Sequence, residues 1–211
     1  MSDARTREQI AASGKSLFER GLSFGSAGNL SVKLDDGWLM TPTNVSLGRL
    51  DPARLARLDT KGRPIAGDPP TKEAALHIAM YGARQSCGAI VHLHSTHSVA
   101  VSCLADIDPD DVLPPITAYF VMRVGKLKLL PYFPPGDPAL AAAIGAVAAR
   151  HSAVLLANHG PVVAGSSLEA AMNAAEELEE TARLYLLLHG RPTRFLTSEQ
   201  VQALALKYPI P

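Results

Sequence analysis

His92 and His94 stand one residue apart at the end of the apolar run Gly88–Leu93. In an extended strand, residues i and i+2 face the same side. The two imidazoles are then either a pair of metal ligands or two histidines packed at a sheet end. Glu73 and His77 share one face at the start of a predicted helix. A carboxylate and an imidazole so placed serve as ligands in helix-borne sites. The alternative is a first-turn Glu73 that complements the helix dipole, with His77 as its partner or a core residue. Asn158-His159-Gly160 follows the apolar stretch AVLLA. It reads as a turn, or as a strand end that presents His159 as a third imidazole. Three histidines and one carboxylate suit Zn²⁺ or a similar divalent ion. With only Cys87 and Cys103, far apart in sequence, neither a thiolate zinc site nor a disulfide framework is expected.

A second group has the chemistry of an anion site. It comprises Gly28-Asn29, the turn Thr41-Pro42-Thr43-Asn44, and Thr71-Lys72 at a predicted helix start. Glycine permits close backbone approach, Thr and Asn offer donors, a helix start offers free N–H groups, and Lys adds charge. Together they suggest a phosphorylated substrate. Among the other histidines, His97 reads as a helix-start residue that supports the site. His151 and His189 read as solvated residues near helix ends.

Several elements must position these groups. The sequence predicts helices over 3–20, 72–84 (capped by Thr71), 96–104, 138–150 (capped by Asp137) and 167–189, a short helix at 51–55, and another in the tail. It predicts strands at Leu30–Leu34, 38–43, 57–59, 88–94, 124–130 and 153–157, with hairpin turns at Asp35-Asp36-Gly37 and Lys61-Gly62. The hairpins imply a largely antiparallel sheet in one domain, residues 1–211. The chain has 211 residues, 47% hydrophobic and 19% charged, with 20 basic and 20 acidic side chains. That composition is globular, and zero net charge disfavours a nucleic-acid partner. There is no apolar run of membrane-spanning length, and MSDARTREQI lacks a signal pattern. A cytoplasmic protein with no membrane partner is expected.

The ordered motifs Gly28-Asn29-Leu30-Ser31, Thr41-Pro42-Thr43, Glu73, His92-Leu93-His94 and His159-Gly160 resemble the class II aldolase/adducin family over residues 8 to 205. The resemblance implies an αβα sandwich of α+β type with a central, largely antiparallel sheet. It also implies a homotetramer with sites at subunit interfaces. It implies that Glu73, His92, His94 and His159 hold one Zn²⁺ per subunit, and that Asn29, Thr43, Asn44, Thr71 and Lys72 line the phosphate of a sugar-acid substrate. Lys72 is either a phosphate clamp or a partner of the substrate carboxylate. Glu73 would double as acid/base. Tyr119 would be a second proton donor, or else an aromatic packed ahead of a strand. Tyr208 in the tail would reach a neighbouring subunit's site.

Within the family, GDPPTKEAALH, VHLHSTHSVAVSCL and ANHGPVVAGSSLEAAMNAAEELEETA look most like the branch that decarboxylates 3-oxo-tetronate 4-phosphate to dihydroxyacetone phosphate. Glu73 stands where the ribulose-phosphate epimerases of the family carry Asp, and Thr71-Lys72 departs from the Ser-Ser of the fuculose-phosphate aldolases. A ketose-phosphate aldolase is the alternative expectation. A non-catalytic adducin-like interaction module is disfavoured by the complete histidine set.

Overall fold

A computed structural model of the chain describes residues 3–210. Its strands are β1 (Asn29–Leu34), β2 (Gly37–Met40), β3 (Ala56–Leu58), β4 (Pro64–Ala66), β5 (Ala89–His92), β6 (Lys128–Leu130), β7 (Ala153–Leu156) and β8 (Gly160–Gly165). They form an eight-stranded sheet in the order β4-β3-β2-β1-β5-β8-β7-β6. Neighbours are antiparallel except β6 and β7, which run parallel. The helices are α1 (Asp3–Glu19), α2 (Ala74–Ala83), α3 (Thr96–Ser102), α4 (Ala118–Arg123), α5 (Pro138–Val147), α6 (Leu168–Leu188) and α7 (Ser198–Lys207). Among the described residues no helix is long and apolar enough to cross a membrane.

Alternation along the strands sorts side chains to two faces. Val91, Leu155 and Val163 turn to one face, under residues of α1, α3, α4 and α6. Ile90, Val154, Leu156, Val162 and Ala164 turn to the other, under α2 and α5. The sheet is thus buried between two helical layers, the expected sandwich. The alanine stripe Ala171, Ala174, Ala175 and Ala182, with Leu178, lets α6 lie close on the first face. Each fully buried Leu or Ile contributes about 1.5–3 kcal/mol through removal from water. By the same parity His92 shares the face of Ile90, the α2 side, and so meets the side chains at the start of α2.

Some expected elements differ. Residues 160–165 form β8, a strand absent from the expected set, and Gly160, expected in a turn or at a strand end, is its first residue. Pro161 is tolerated because its carbonyl does the bonding there, accepting from Leu93 N at 3.2 Å. The expected strand 124–130 is shorter, and the helix α4 precedes it, capped by Thr117. The segment 51–55 is a 3₁₀ turn at Pro52–Arg54. Asp137 caps α5 as expected. Thr71 does not cap α2 directly. The helix begins at Ala74 with Glu73 in the cap position, and Thr71 Oγ1 accepts from Glu73 N at 3.3 Å in the turn before it. Glu73 makes no cap bond because its carboxylate is drawn inward.

Candidate metal centre

β5 ends at His92, and Asn29, the first residue of β1, lies opposite it in register. Gly28 makes this approach possible. Its φ is +81°, and a Cβ there would come within 2.9 Å of the His92 carbonyl oxygen. His159 lies in the short connection from β7 to β8. Gly160 follows at φ +150°, where a Cβ would meet Leu93 O at 2.3 Å. These close backbone contacts bring the residues from four segments together. His94 Nε2 lies 3.2 Å from His92 Nε2 and 3.0 Å from His159 Nε2. Glu73 Oε2 is 3.2 Å from His92 Nε2, and Glu73 Oε1 is 3.4 Å from His159 Nε2.

The protonation pattern follows from the partners. His92 Nδ1 faces the Pro161 carbonyl at 2.8 Å, so that nitrogen carries a proton. In neutral His92 the Nε2 lone pair therefore points at the centre. Burial alone would raise the Glu73 pKa, but His92, the Asn29 amide and His159 outweigh it and hold the carboxyl well below its ordinary range. Burial pushes His92 down, but Glu73 beside it pulls it up, for a net rise. His94 is lowered to about 4 by burial and by the neighbouring His92 and His159. His159 is lowered to about 4 by burial and by His92. Glu73 Oε1 is buried and accepts no hydrogen bond. Imidazole nitrogens converging on one point, with a buried carboxylate oxygen left over, are the donor set of a Zn²⁺-type ion. His92, His94 and His159 could hold such an ion, with Glu73 as a further donor.

The expected anion-site segments also meet here. Thr71 N bonds Thr41 O at 3.1 Å, Thr43 N bonds Pro69 O at 3.0 Å, and Leu30 N bonds Thr41 Oγ1 at 3.2 Å. The turn that carries Thr43 is thus paired with the segment 69–71, and Thr71 and Lys72 immediately precede Glu73. The Asn29 amide is engaged with Glu73 Oε2 at 2.8 Å and with His77. One amide hydrogen remains for a ligand. A cavity of about 490 Å³ opens beside His94 and His159, rimmed by Phe24, Thr96, Tyr132, Pro135 and Asn158. The structure does not bring Tyr119 to the histidines. It is an exposed ring on α4 beneath the Arg123 guanidinium, 5.3 Å from the ring centre. Tyr208 lines a separate apolar cavity with Phe120, Val201 and Ile210.

Sequence reading missed Glu179. From α6 its carboxylate accepts from His97 N and Ser98 N, each at 2.9 Å, from Ser98 Oγ at 2.7 Å and from His97 Nδ1 at 2.8 Å. It fixes the start of α3, immediately after His94, and so gives His97 the supporting place expected of it. A single Glu on an amphipathic helix carries no local signal for this. Its inward face in the helical periodicity is the one available hint.

The family described as "Class II Aldolase and Adducin N-terminal domain" matches residues 8–186. The chain belongs to this family. As a class II aldolase relative, it is 49% identical to the 3-oxo-tetronate 4-phosphate decarboxylase of Haemophilus influenzae over 97% of this chain and 98% of that one. It is 32% identical to the L-fuculose phosphate aldolase of Escherichia coli K12 over 89% and 86% of the two chains. The crystal structure of YgbL from Klebsiella pneumoniae superposes with a TM-score of 0.94 at 49% identity, covering 97% of this chain and 99% of that one.

Proposed function

We propose that this class II aldolase-family protein is a lyase that decarboxylates 3-oxo-tetronate 4-phosphate, with Zn²⁺ as its cofactor. The observation that carries the choice of reaction is the 49% identity with 3-oxo-tetronate 4-phosphate decarboxylases over nearly the full chain, against 32% with a fuculose-phosphate aldolase. The converging His92, His94, His159 and Glu73 support the metal, and the paired 41–44 and 69–72 segments support a phosphorylated substrate.

The substrate is a β-keto acid, with carboxylate at C1, hydroxyl at C2, ketone at C3 and phosphate at C4. When the C1–C2 bond breaks, CO₂ leaves and its electron pair moves through C2 into the C3 carbonyl, giving an enediolate. The three histidines and Glu73 would hold a divalent ion, which would supply Lewis acidity toward the developing negative charge. Thr43, Asn44, Thr71 and Lys72 bind and orient the anionic ends of the substrate, together with the free Asn29 N–H. Glu73, with an oxygen that no hydrogen bond occupies, takes up a proton from solvent and passes it to C2 to form dihydroxyacetone phosphate. Tyr119 acts as proton donor only across a subunit boundary, given its distance in fold from the histidines. We therefore place the sites at interfaces of a homotetramer. Cys87 and Cys103 are free thiols, which suits the cytoplasm.

Purified protein supplied with 3-oxo-tetronate 4-phosphate should release CO₂ and dihydroxyacetone phosphate. Cleavage of L-fuculose 1-phosphate without either product from the keto acid would establish the aldolase reading instead. Metal analysis should find about one divalent ion per chain, the stoichiometry of a single four-ligand site.

A further inference from the structure

Behind Glu73 a file of buried polar groups runs into the core. Asn29 lies between Glu73 and His77, His77 Nδ1 is 2.7 Å from Ser31 Oγ, and Ser31 Oγ is 2.9 Å from the Tyr81 hydroxyl. Ser31 and His77 are fully buried, and Tyr81 is 1% exposed. These groups are sealed from bulk solvent and satisfy one another, so each takes the role its neighbour leaves.

The chemistry assigns every proton, starting from the carboxylate. Ionised Glu73 only accepts, so Asn29 must turn its Nδ2–H to Oε2. The Asn29 carbonyl oxygen then faces His77 and only accepts, so His77 Nε2 carries the hydrogen. In the neutral ring Nδ1 is left with a lone pair, so Ser31 donates to it. Ser31 Oγ in turn accepts from Tyr81 O–H. All the donors point towards Glu73, and such aligned chains strengthen one another in a low-dielectric interior.

We propose that His77 is a positioning residue for Glu73. In its Nε2–H tautomer it locks the Asn29 amide so that an N–H, and not a carbonyl, meets Oε2. The inference rests on the reading of Glu73 as the proton carrier. If the Asn29 amide turned over, its carbonyl would oppose the carboxylate and its NH₂ would oppose His77 Nε2–H. The His77 tautomer forbids that turn. Oε2 is thereby held, and Oε1 remains the oxygen available to the reacting centre.

The first test is independent of turnover. A long-range ¹H–¹⁵N spectrum of the metal-free full chain at neutral pH should show His77 with hydrogen on Nε2 and a bare Nδ1. Hydrogen on Nδ1 overturns the proposal. The second test compares variants. H77L leaves the Asn29 carbonyl without its donor and should lower kcat about 10–100-fold, with KM changed much less. H77Q can donate to Asn29 and accept from Ser31, and should recover most of the loss. Wild-type turnover in H77L, or equal impairment of both variants when folded and metal-loaded, overturns the proposal. Should H77L fail to fold, the tautomer and H77Q decide. If wild type decarboxylates nothing, the reaction reading fails, while the tautomer still judges the positioning role.

Discussion

Replacing Glu179 with alanine should destabilise the protein through two particular atoms. The carboxylate accepts four hydrogen bonds, but they are not equal. The Ser98 hydroxyl can rotate to another acceptor, and the half-exposed His97 ring can turn to water. The backbone N–H groups of His97 and Ser98 cannot move. They are first-turn donors of α3 with no intrahelical partner. Leaving a buried donor unsatisfied costs about 1–3 kcal/mol, so the pair is expected to cost about 3 kcal/mol. At about 2–4 °C per kcal/mol for a domain of this size, Tm should fall by about 6–12 °C. Calorimetry or urea unfolding at pH 7 would measure it, and E179Q, which keeps the volume and one carbonyl acceptor, should fall between. The effect has a pH signature. The Glu179 carboxyl is held below its ordinary value of 4.5, because the His97 and Ser98 bonds outweigh burial. A depressed carboxylate contributes stability above its unfolded pKa and loses it as pH falls through the folded one. The difference between wild type and E179A should therefore be full at pH 7 and shrink below pH 4.5. A Tm within about a degree of wild type would refute the reasoning, since even one orphaned N–H costs more.

E73Q should retain part of the metal through the three histidines and lose about 10²–10⁴-fold in turnover, in an assay of CO₂ release; unchanged turnover would remove Glu73 from proton transfer. With His94 and His159 lowered to about 4, only His92, whose pKa is raised, has a proton to surrender near neutrality. Zn²⁺ uptake by the metal-free chain should thus release a proton from the His92 fraction that carries one, and affinity should weaken as pH falls; calorimetry in two buffers of different ionisation enthalpy would detect the release. Gly160→Ala should cost about 2–3 kcal/mol and weaken metal binding, because φ is +150° and the new Cβ meets Leu93 O at 2.3 Å. Gly190→Ala, at φ +72° with nothing within 4 Å, should cost only about 1–2 kcal/mol by the same unfolding assay.

The histidine cluster was legible in the sequence because His92 and His94 encode their own geometry: a two-residue period on an apolar run places both rings on one side. Glu73 was legible as a helix-start carboxylate, although its helix begins one residue after it. What escaped reading depends on contacts far apart in the chain. β8 is masked by Gly160 and Pro161, whose local preference is for turns, while the strand is enforced by pairing with β5 and β7 on both sides. Asn29 belonged by composition to a loop that offers donors. Its actual engagement depends on the register that sets it opposite His92. Glu179 lies 82 residues from His97, and nothing local announces the bond.

The strand order has a consequence for how this protein comes into being. Strands β1–β4 lie on one side of β5 and β6–β8 on the other, so the two halves of the chain meet in one sheet along β5. Asn29 and Glu73 arrive with the first half, and His159 arrives with the second. The ligand set exists only once that seam has closed. A bound ion would then act as a rivet across it, stabilising the joined state by mass action and leaving either half alone without a site. Metal uptake by a refolding chain would therefore report the pairing of β5 with both β1 and β8.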